Sequence, residues 1–263
     1  MGSATRESVS TAIAVLNAQA ALDLATGEQL LSAALTVEDS PHLRAALADD
    51  AADPADRKSI VHALFGSYTK PAQLVLDSLV SGRWSTSDDL VGGIEQLGIR
   101  ALAASASKDV SITDELFAFS AAVSSNADLE LALGSKLGAV EGRLSLLSRL
   151  LEGKVSTQTL AILRALITQP RGRRIAELVR YASTIVAEQS GSTIATITVA
   201  KPLEPAQIAR LEKALAKQHG SSIRINEVVD PSILGGMRVQ IGDEIIDGTV
   251  SNRITDLRLR LAS

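Results

Sequence analysis

Three acidic side chains lie close together near the C-terminal end of the chain, at Asp243, Glu244 and Asp247. Carboxylates at this spacing could ligate a metal ion or act as a general acid and base. Asp243, however, follows Gly242 in a residue pair that is typical of a tight turn. Glu244 continues an alternation of polar and apolar residues that is typical of a strand. The turn and the strand account for these carboxylates, so we predict no catalytic or metal site here.

Other residue types that could carry catalysis are few. The chain has three histidines, His42, His62 and His219, and no cysteine, which excludes disulfides and thiolate metal sites. His219 lies at the predicted C-terminal end of a helix, where an imidazolium interacts favourably with the helix dipole. The other two lie on predicted helices, where a solvated or packed side chain is expected. No nucleophile elbow, phosphate-binding glycine loop or metalloprotease helix occurs. We therefore predict no cofactor, no metal and no active site.

The charge distribution excludes further classes of partner. The formal net charge is -4 and aromatic residues make up 2% of the chain, so neither phosphate contacts nor base stacking would support nucleic-acid binding. We predict that the basic cluster Arg171-Gly172-Arg173-Arg174 is a solvated turn between helices. The most apolar runs, such as Leu160 to Ile167, are interrupted by charges such as Arg164 and are too short to span a bilayer. We expect a soluble, cytoplasmic chain with no direct membrane insertion.

The region from Asp230 to Leu261 carries the most specific pattern of the chain. Met237, Val239 and Ile241 alternate with polar residues, the period of a half-buried strand. Residues 242–243 interrupt this run and residues 244–247 resume it, which predicts two strands joined by a type II′ turn with glycine first. The preceding pair, Gly235-Gly236, indicates a bulge or a close backbone approach.

After Gly248 the apolar period changes from that of a strand to that of a helix. Apolar side chains recur at helical spacing at Val250, Ile254, Leu257 and Leu261. We therefore predict a closing helix in which Ile254 and Leu257 face the sheet, while Arg253 and Arg260 are exposed.

The rest of the C-terminal region completes a small α+β domain. Its predicted order is strand, helix, strand, strand, strand, helix. The additional elements are a strand at Thr193 to Val199, a helix from Pro205 through Lys217 closed by His219-Gly220, and a strand at Ser222 to Val228.

The region from Gly27 to Gly191 is predicted to be helical throughout and to contain an internal repeat. Glu28 to Leu31 matches Asp114 to Phe117, and Arg57 to Val61 matches Arg143 to Leu147. The offset between matching segments stays between 85 and 87 residues, and each unit contains about four predicted helices. The alternative is chance similarity between helices rich in Ala and Leu, but the constant offset favours a duplicated four-helix unit. Another amphipathic helix, from Ser8 to Leu24, precedes it.

These observations predict a mostly α-helical protein with a small α+β domain at its C-terminal end. The predicted domains are residues 1–110, containing the first helix and the extra helical unit, residues 111–191, containing the second helical unit, and residues 192–263, forming the α+β domain.

The order of short motifs near the C-terminal end resembles the signature of the F-type ATP synthase delta subunit family, which includes the mitochondrial oligomycin-sensitivity-conferring protein. The chain resembles a long, actinobacterial form of that family. The matching motifs are Asp230-Pro231-Ser232, Gly235-Gly236, Ile241-Gly242-Asp243, Ile246-Asp247-Gly248 and Leu257 through Leu261. The resemblance assigns structural or interface roles to Asp230, Pro231, Gly235, Gly236, Gly242, Asp247, Gly248, Arg253 and Leu257. The alternative to the family resemblance is an ordinary hairpin and helix of any α+β domain, but the order of the motifs favours the resemblance.

The resemblance implies a noncatalytic stator subunit of the proton-translocating ATP synthase. In this family a six-helix bundle binds the N-terminal helices of the alpha subunits, and the C-terminal domain binds the C-terminal region of the b subunit of the peripheral stalk. The second helical unit together with the helix at Ser8 to Leu24 could supply that bundle. The location implied is peripheral, at the cytoplasmic face of a bacterial cell membrane. The alternative function is an enzyme or ligand-binding α+β domain, with a ligand near Gly235-Gly236 and the helices as a regulatory module.

Overall fold

A computed structural model describes residues 2–135 and 139–254 of the chain. The chain forms two compact units, of which the first ends at Val186 and the second begins at Ala187. The helices of the N-terminal region are α1 (Ser3–Asn17), α2 (Leu24–Asp39), α3 (Pro41–Ala48), α4 (Pro54–Phe65), α5 (Lys70–Ser81), α6 (Ser87–Ser105), α7 (Ile112–Ser124), α8 (Ala127–Gly134), α9 (Val140–Leu151), α10 (Thr157–Thr168) and α11 (Ile175–Gln189).

Short polar side chains fix the beginnings of many of these helices. Asp23 accepts a hydrogen bond from the backbone N–H of Thr26 and so caps α2, and Ser40 caps α3 in the same way. These caps correct one prediction. The first helix does not run from Ser8 to Leu24 but ends at Asn17, because Asp23 caps a new helix whose first residue is Leu24.

The internal repeat is confirmed, and each unit contains five helices rather than the predicted four. Helices α2 to α6 correspond in order to α7 to α11. The middle three helices have matching lengths of 8, 12 and 12 residues in both units. Helix α3 begins at Pro41 and α8 at Ala127, 86 residues later, while α5 begins at Lys70 and α10 at Thr157, 87 residues later.

One hydrogen bond is repeated in the two units. The backbone N–H of Thr69, the residue before α5, donates to Oε1 of Gln29 on α2 at 2.8 Å. The backbone N–H of Ser156, the residue before α10, donates to Oε1 of Glu115 on α7 at 2.9 Å. In each unit, therefore, one side chain on the first helix accepts a hydrogen bond from the residue before the fourth helix. Chance similarity between two unrelated groups of helices would not produce the same bond twice.

Helix α6 belongs to both helical units at once. Its residues Leu90, Ile94 and Leu97 pack in a core formed with α1 to α5. Its residues Ile99 and Leu102 pack in a second core formed with α7 to α11, to which α2 adds the side chain of Leu31. The chain therefore contains two six-helix bundles that share α6: the first bundle is α1 to α6, and the second is α6 to α11.

The sharing of α6 corrects the predicted composition of the second bundle. The first helix was expected to join the second unit, but Val9, Ala12 and Leu16 pack in the core of the first bundle, where α1 contacts α5 and α6. In the second bundle α6 takes that position and packs against α10, the counterpart of α5. The outer face of α1 is polar and exposed, at Ser3, Arg6, Glu7, Ser10 and Thr11. A polar outer face is expected of the terminal element of a repeat array.

Helices α2 and α6 approach one another closely because glycines lie at their contact. A Cβ atom on Gly98 of α6 would lie 2.8 Å from Cγ and 3.1 Å from the backbone nitrogen of Leu31. A Cβ atom on Gly27 of α2 would lie 2.5 Å from Cγ and 3.0 Å from the backbone nitrogen of Leu102. Both distances are shorter than ordinary packing allows, so only glycine fits at these positions.

The turn between α10 and α11 is not the solvated turn that we predicted from its basic residues. Arg173 donates from Nη2 to both carboxylate oxygens of Glu95 on α6 at 2.8 Å, and the Glu95 side chain is 7% exposed. Arg171 donates from Nη2 to the backbone oxygen of Asp88 at 2.7 Å and lies 3.7 Å from Oε2 of Glu38 on α2. Two arginines of the second bundle thus pair with acceptors on α2 and α6. The sequence did not reveal these interactions because the partners of the two arginines lie at least 78 residues away.

An aromatic ring completes this ionic contact. The guanidinium carbon of Arg173 lies 4.4 Å from the ring centroid of Tyr181 on α11, within the range of a cation–π interaction. Burial, and then the negative charge of Glu95, raise the pKa of the Tyr181 phenol. The group therefore stays neutral and contributes a ring face and a hydroxyl to the contact.

The second compact unit is the predicted α+β domain. Its elements are β1 (Ser192–Val199), α12 (Pro205–His219), β2 (Ser222–Val229), β3 (Met237–Ile241) and β4 (Glu244–Asp247), followed by a helical segment at 250–254. The strand order is β2-β1-β3-β4, with β1 and β2 parallel and the other pairs antiparallel. Helix α12 packs on β2 and ends at Gly220 in the left-handed conformation, as the sequence predicted. A core of Ala195, Ile197, Val199, Leu215, Ile223, Ile225 and Val239 holds the sheet and helix together.

The glycine contact between α2 and α6 gives a first testable prediction. Gly98→Ala should lower the free energy of unfolding by about 1–3 kcal/mol, because the added methyl group forces α2 and α6 apart. Gly142→Ala is the matched control: Gly142 lies in α9, and a Cβ atom there would meet nothing within 4 Å. The control should gain about 0.5–1 kcal/mol, because alanine favours the helix. Denaturant unfolding measures the free energy of unfolding of both variants. A Gly98→Ala protein as stable as the parent would contradict the close approach of α2 and α6.

Candidate functional site

The residues predicted from the family motif, as far as the structure describes them, lie in the second compact unit, around the ends of β2, β3 and β4. Asp230 directly follows β2, and its backbone N–H donates to the oxygen of Val199 at 2.8 Å. Its Oδ1 accepts from the backbone N–H of Ser232 at 2.9 Å, and the N–H of Ile233 donates to its backbone oxygen at 3.1 Å. Asp230 and Pro231 therefore form a turn that leads the chain away from the sheet.

The glycine pair makes a close backbone contact, as predicted. Gly235 and Gly236 have φ angles of 152° and 80°, a region that other residues rarely adopt. A Cβ atom on Gly236 would overlap the backbone oxygen of Gly248 and lie 2.9 Å from Cα of Thr249. The backbone at Gly236 thus fills the space beside Gly248, and no side chain could be placed there.

The hairpin between β3 and β4 also has the predicted geometry. Ile241 pairs with Glu244, which leaves Gly242 and Asp243 as a two-residue turn. Gly242 has a φ angle of 57°, and Arg171 is the only non-glycine residue with a positive φ angle in the described ranges. A positive φ angle at the first turn residue alone is the pattern of a type II′ turn.

Asp247, Gly248 and Thr249 connect the hairpin to the helical segment that follows. Asp247 forms an ion pair with Arg238 on β3 at 3.0 Å, and its Oδ1 accepts from the backbone N–H of Thr249 at 3.0 Å. The N–H of Gly248 donates to the backbone oxygen of Met237 at 2.9 Å. The hydroxyl of Thr249, a buried residue, accepts from the backbone N–H of Asn252 at 3.3 Å. Thr249 thus caps the helical segment, and Asp247 positions the cap.

The helical segment is attached to the glycine pair by its own backbone. The N–H of Val250 donates to the oxygen of Gly235 at 3.0 Å, and the side-chain amide of Asn252 donates to the oxygen of Asp247 at 3.1 Å. The glycine pair, the end of β4 and the start of the helical segment therefore form one hydrogen-bonded corner. We call this group, residues 230–236 and 247–252, the motif corner.

Two carboxylates of the motif corner have altered acidity. Hydrogen bonds from Ser232 lower the pKa of Asp230. Hydrogen bonds from Thr249, and to a smaller extent the charge of Arg238, lower the pKa of Asp247. Both carboxyls are ionised at neutral pH and act as acceptors in turns, which is a structural role.

Large apolar side chains next to the motif corner are exposed. Leu234 is 81% exposed, while Val250 and Ile254, one turn apart on the helical segment, are 41% and 42% exposed. Ile245 on the edge strand β4 is 59% exposed. We call these four residues the apolar patch. The prediction that Ile254 faces the sheet is therefore wrong, whereas Arg253 is exposed as predicted. Leu257, Arg260 and Leu261 lie outside the described residues.

The candidates for catalysis remain scattered. Asp243 and Glu244 are exposed on the turn and at the start of β4. His62 contacts Asp77 at 2.9 Å on the surface of the first bundle, and His219 is the last residue of α12. Among the described residues, no group of three or more His, Cys, Asp or Glu side chains could hold a metal ion. The same part of the chain contains no helix long and apolar enough to cross a membrane.

Comparison with known proteins assigns a family to this architecture. A family model described as the ATP synthase delta (OSCP) subunit matches residues 99–261. The chain belongs to the ATP synthase delta (OSCP) subunit family. The match begins within α6, so it covers the second bundle and the C-terminal unit and leaves α1 to α5 outside.

Similar proteins share the longer form. An ATP synthase subunit delta from Leifsonia xyli subsp. xyli is 50% identical over 265 residues, which cover 100% of both chains. One from Thermobifida fusca is 36% identical, covering 90% of this chain and 89% of that one. One from Streptomyces griseus subsp. griseus is 36% identical and covers 100% of both chains. The first bundle is therefore part of a long form found in actinobacterial relatives, as the sequence predicted.

A solved structure with partial similarity belongs to the mitochondrial ATP synthase hexamer of Toxoplasma gondii. Its chain matches 64% of this chain and 97% of its own length, with a TM-score of 0.40 and 17% identity.

The lowered pKa of Asp247 gives a prediction about acid stability. A carboxyl with a lowered folded pKa stabilises the folded state above its unfolded pKa of about 4, and this contribution is lost as the pH falls through the folded pKa. Asp247→Asn should therefore lower the stability of the C-terminal unit at neutral pH and make it less sensitive to acid below about pH 4. Asp243→Asn, which removes the same charge from the exposed turn, is the control. Hydrogen exchange of β3 amides between pH 3 and 7 measures the difference, and equal profiles for both variants would contradict the role of Asp247.

Proposed function

We propose that this chain is a noncatalytic stator subunit of a proton-translocating F-type ATP synthase. In this role it joins the catalytic head to the b subunit of the peripheral stalk, so that rotation is coupled to ATP synthesis. Membership of the ATP synthase delta (OSCP) family is the observation that carries the proposal.

The mechanical task of a stator agrees with the helical architecture. A rotating central shaft would drag the head with it unless another connection held the head still, and ion flow would then not drive synthesis. The connection must resist torque, which requires a stiff body rather than a reactive group. Two bundles with a shared helix and an ionic contact form such a body, because bending between them would expose the core around Ile99 and Leu102.

The proposed partners follow the division of the chain. The helical region, with residues 1–110 as the extra unit and 111–191 as the family unit, binds the N-terminal helices of the alpha subunits. The α+β domain, residues 192–263, binds the C-terminal region of the b subunit. The chain is held peripherally at the cytoplasmic face of a bacterial cell membrane through this complex, without inserting into the bilayer.

The apolar patch supports the second of these contacts. Four large apolar side chains are exposed to solvent beside the motif corner. Covering them with a partner would remove apolar surface from water, which favours binding. The residues of the motif corner, with Arg253 beside them, shape this surface, while Gly242 forms the turn at the other end of the β3–β4 hairpin. Leu257 of the same motif was predicted to face the sheet, and it lies outside the described residues. We propose that the b subunit covers the patch with an amphipathic helix.

The alternative of an enzyme or ligand-binding α+β domain finds less support. It required space for a small ligand near Gly235-Gly236, but the backbone of Gly248 and Thr249 lies directly against Gly236. The glycines therefore serve contact between two stretches of this chain rather than contact with a ligand.

A substitution in the apolar patch tests the stalk contact. Leu234→Glu should leave the fold intact, because the side chain is already 81% exposed. It should weaken binding of the b subunit by about 10- to 100-fold, since burial of a leucine contributes roughly 1.5–3 kcal/mol. Membranes that carry the variant should hydrolyse ATP but pump fewer protons per ATP hydrolysed.

Leu64→Glu is the matched control for this experiment. Leu64 lies on α4 in the first bundle and is 50% exposed, so the same substitution adds the same charge in the other compact unit. We expect normal pumping with this control. Normal b-subunit binding and normal pumping by Leu234→Glu would show that the stalk does not use the apolar patch.

A further inference from the structure

The turn between α10 and α11, residues 169–174, has a backbone conformation that its sequence does not favour. Arg171 has a φ angle of 49° and is the only non-glycine residue with a positive φ angle in the described ranges. The Cβ atom of an ordinary residue makes this left-handed conformation unfavourable, so it persists only where other contacts hold it. The contacts of the turn therefore show what maintains the strain.

The internal repeat shows that the connection between the helices does not require this conformation. The equivalent turn of the first bundle, residues 82–86, joins α5 to α6 without any positive φ angle. The second turn is one residue longer and has positive φ angles at both Arg171 and Gly172. What distinguishes the second turn is the contact that the Arg171 side chain makes with the first bundle.

The guanidinium of Arg171 lies between α2 and the beginning of α6. Its Nη2 donates to the backbone oxygen of Asp88 at 2.7 Å, and its Nε lies 3.7 Å from Oε2 of Glu38. Its Nη1 lies beside Gly92 of α6, where a Cβ atom would be only 3.2 Å away. Glycine at position 92 therefore leaves the room that the guanidinium occupies. We call Glu38, Asp88 and Gly92 the seat of Arg171.

A second arginine attaches the same turn to α6 more firmly. Arg173 donates to both carboxylate oxygens of Glu95, whose side chain is 7% exposed. Breaking this pair would leave a buried charge without its partner, which is strongly unfavourable. The seat of Arg171 is closer to solvent, since the Asp88 side chain is 68% exposed. The attachment at Arg173 is therefore the stronger of the two, and the attachment at Arg171 is the one that opens more easily.

The turn also has space into which it can move. An open recess of about 500 Å³ adjoins it, and residues 170 and 172–174 form part of the recess wall. The core that joins the two bundles around Ile99 and Leu102 includes none of the residues 169–174, all of which the structure describes. The turn can therefore leave the seat without opening that core.

We propose that residues 169–174 form a latch between the bundles, closed when Arg171 occupies its seat and open when it does not. In the closed state the contacts of the guanidinium offset the strain of the Arg171 backbone and hold the second bundle to α2. In the open state the backbone relaxes and the turn moves into the recess, while Arg173 remains paired with Glu95. The bundles are then joined by α6 and the apolar core alone, so the second bundle tilts more freely.

Distance measurements between the bundles test the latch in the isolated full chain, independently of the stator role. The chain has no cysteine, so Leu64→Cys on α4 and Leu131→Cys on α8 accept spin labels selectively. Both side chains are exposed, at 50% and 72%, so the labels leave the cores intact. Double electron–electron resonance should give one narrow distance distribution, with the open state at or below about 10% of molecules, as is usual for a minor conformer.

Two arginine substitutions in the turn provide a matched pair of variants. Arg171→Gly removes the guanidinium and relieves the backbone strain, so the open population should rise about 3- to 10-fold, as expected from the loss of a hydrogen bond. Arg174→Gly removes the same charge from the same turn, but its side chain is exposed, and it should give the distribution of the parent. An unchanged distribution for Arg171→Gly, or equal broadening in both variants, would overturn the proposal.

A change in the seat tests the same contact while both arginines are kept. Gly92→Ala places a methyl group against Nη1 of Arg171 and should also raise the open population, whereas Gly142→Ala, in open space on α9, should not. Adding Gly92→Ala to Arg171→Gly should have no further effect, because both changes act through one contact. Additive broadening in the double variant would overturn the proposal. So would early loss of the Trp84 fluorescence signal in denaturant for Arg171→Gly, because the turn would then belong to the core.

Discussion

Helix α6 is buried on almost every side because it belongs to two cores. From Leu90 to Leu102, nearly every residue is buried, including the glycines Gly92, Gly93 and Gly98 and the charged residues Glu95 and Arg100. A helix buried all round cannot be amphipathic in the ordinary sense, and each of its faces must match a different neighbour. Helices α1, α2, α3, α5 and α10 all contact α6 directly.

The small and the charged residues of α6 have separate tasks. The glycines allow close contact: Gly98 admits the side chain of Leu31, and Gly93 admits the ring of Trp84. Glu95 is different, because a carboxylate that is 7% exposed is costly unless it is paired. Arg173 supplies the pair from the second bundle, and the ring of Tyr181 covers the guanidinium. Removing one partner of such a buried pair is more harmful than replacing both, so the contact specifies how the bundles fit together.

The turns before the last helix of each bundle are equivalent in the repeat but have different roles. In the first bundle the turn before the last helix contributes Trp84 to the core, whereas in the second bundle the equivalent turn contributes arginines to the junction. One turn therefore stabilises its own bundle, and the other connects two bundles. The two ends of the first bundle differ, because the outer face of α1 is polar and exposed whereas α6 is buried between the bundles.

Local features of the sequence predicted local structure well. The turn at Gly242 followed from the need for a positive φ angle, and the contact at Gly236 followed from the absence of a side chain. The repeat was visible because the offset between Gln29 and Glu115 is kept. The sharing of α6 was not predictable, since neither the length nor the period of a helix shows which two cores it enters. Arg171 and Arg173 were taken for solvated residues because their partners are distant in sequence. Ile254 was placed against the sheet because an apolar period does not show whether the apolar face is buried or exposed.

The central claim is that the two bundles form one cooperative body through α6. It is tested most directly by equilibrium unfolding observed in each bundle separately. Trp84, the single tryptophan of the chain, reports the first bundle by its fluorescence, and Phe119, buried at 4% exposure on α7, reports the second through fluorine NMR of fluorophenylalanine. The account predicts coincident transitions with the same midpoint, as expected for a two-state unit. Two separate midpoints, with the signal of one bundle lost while the other persists, would contradict it.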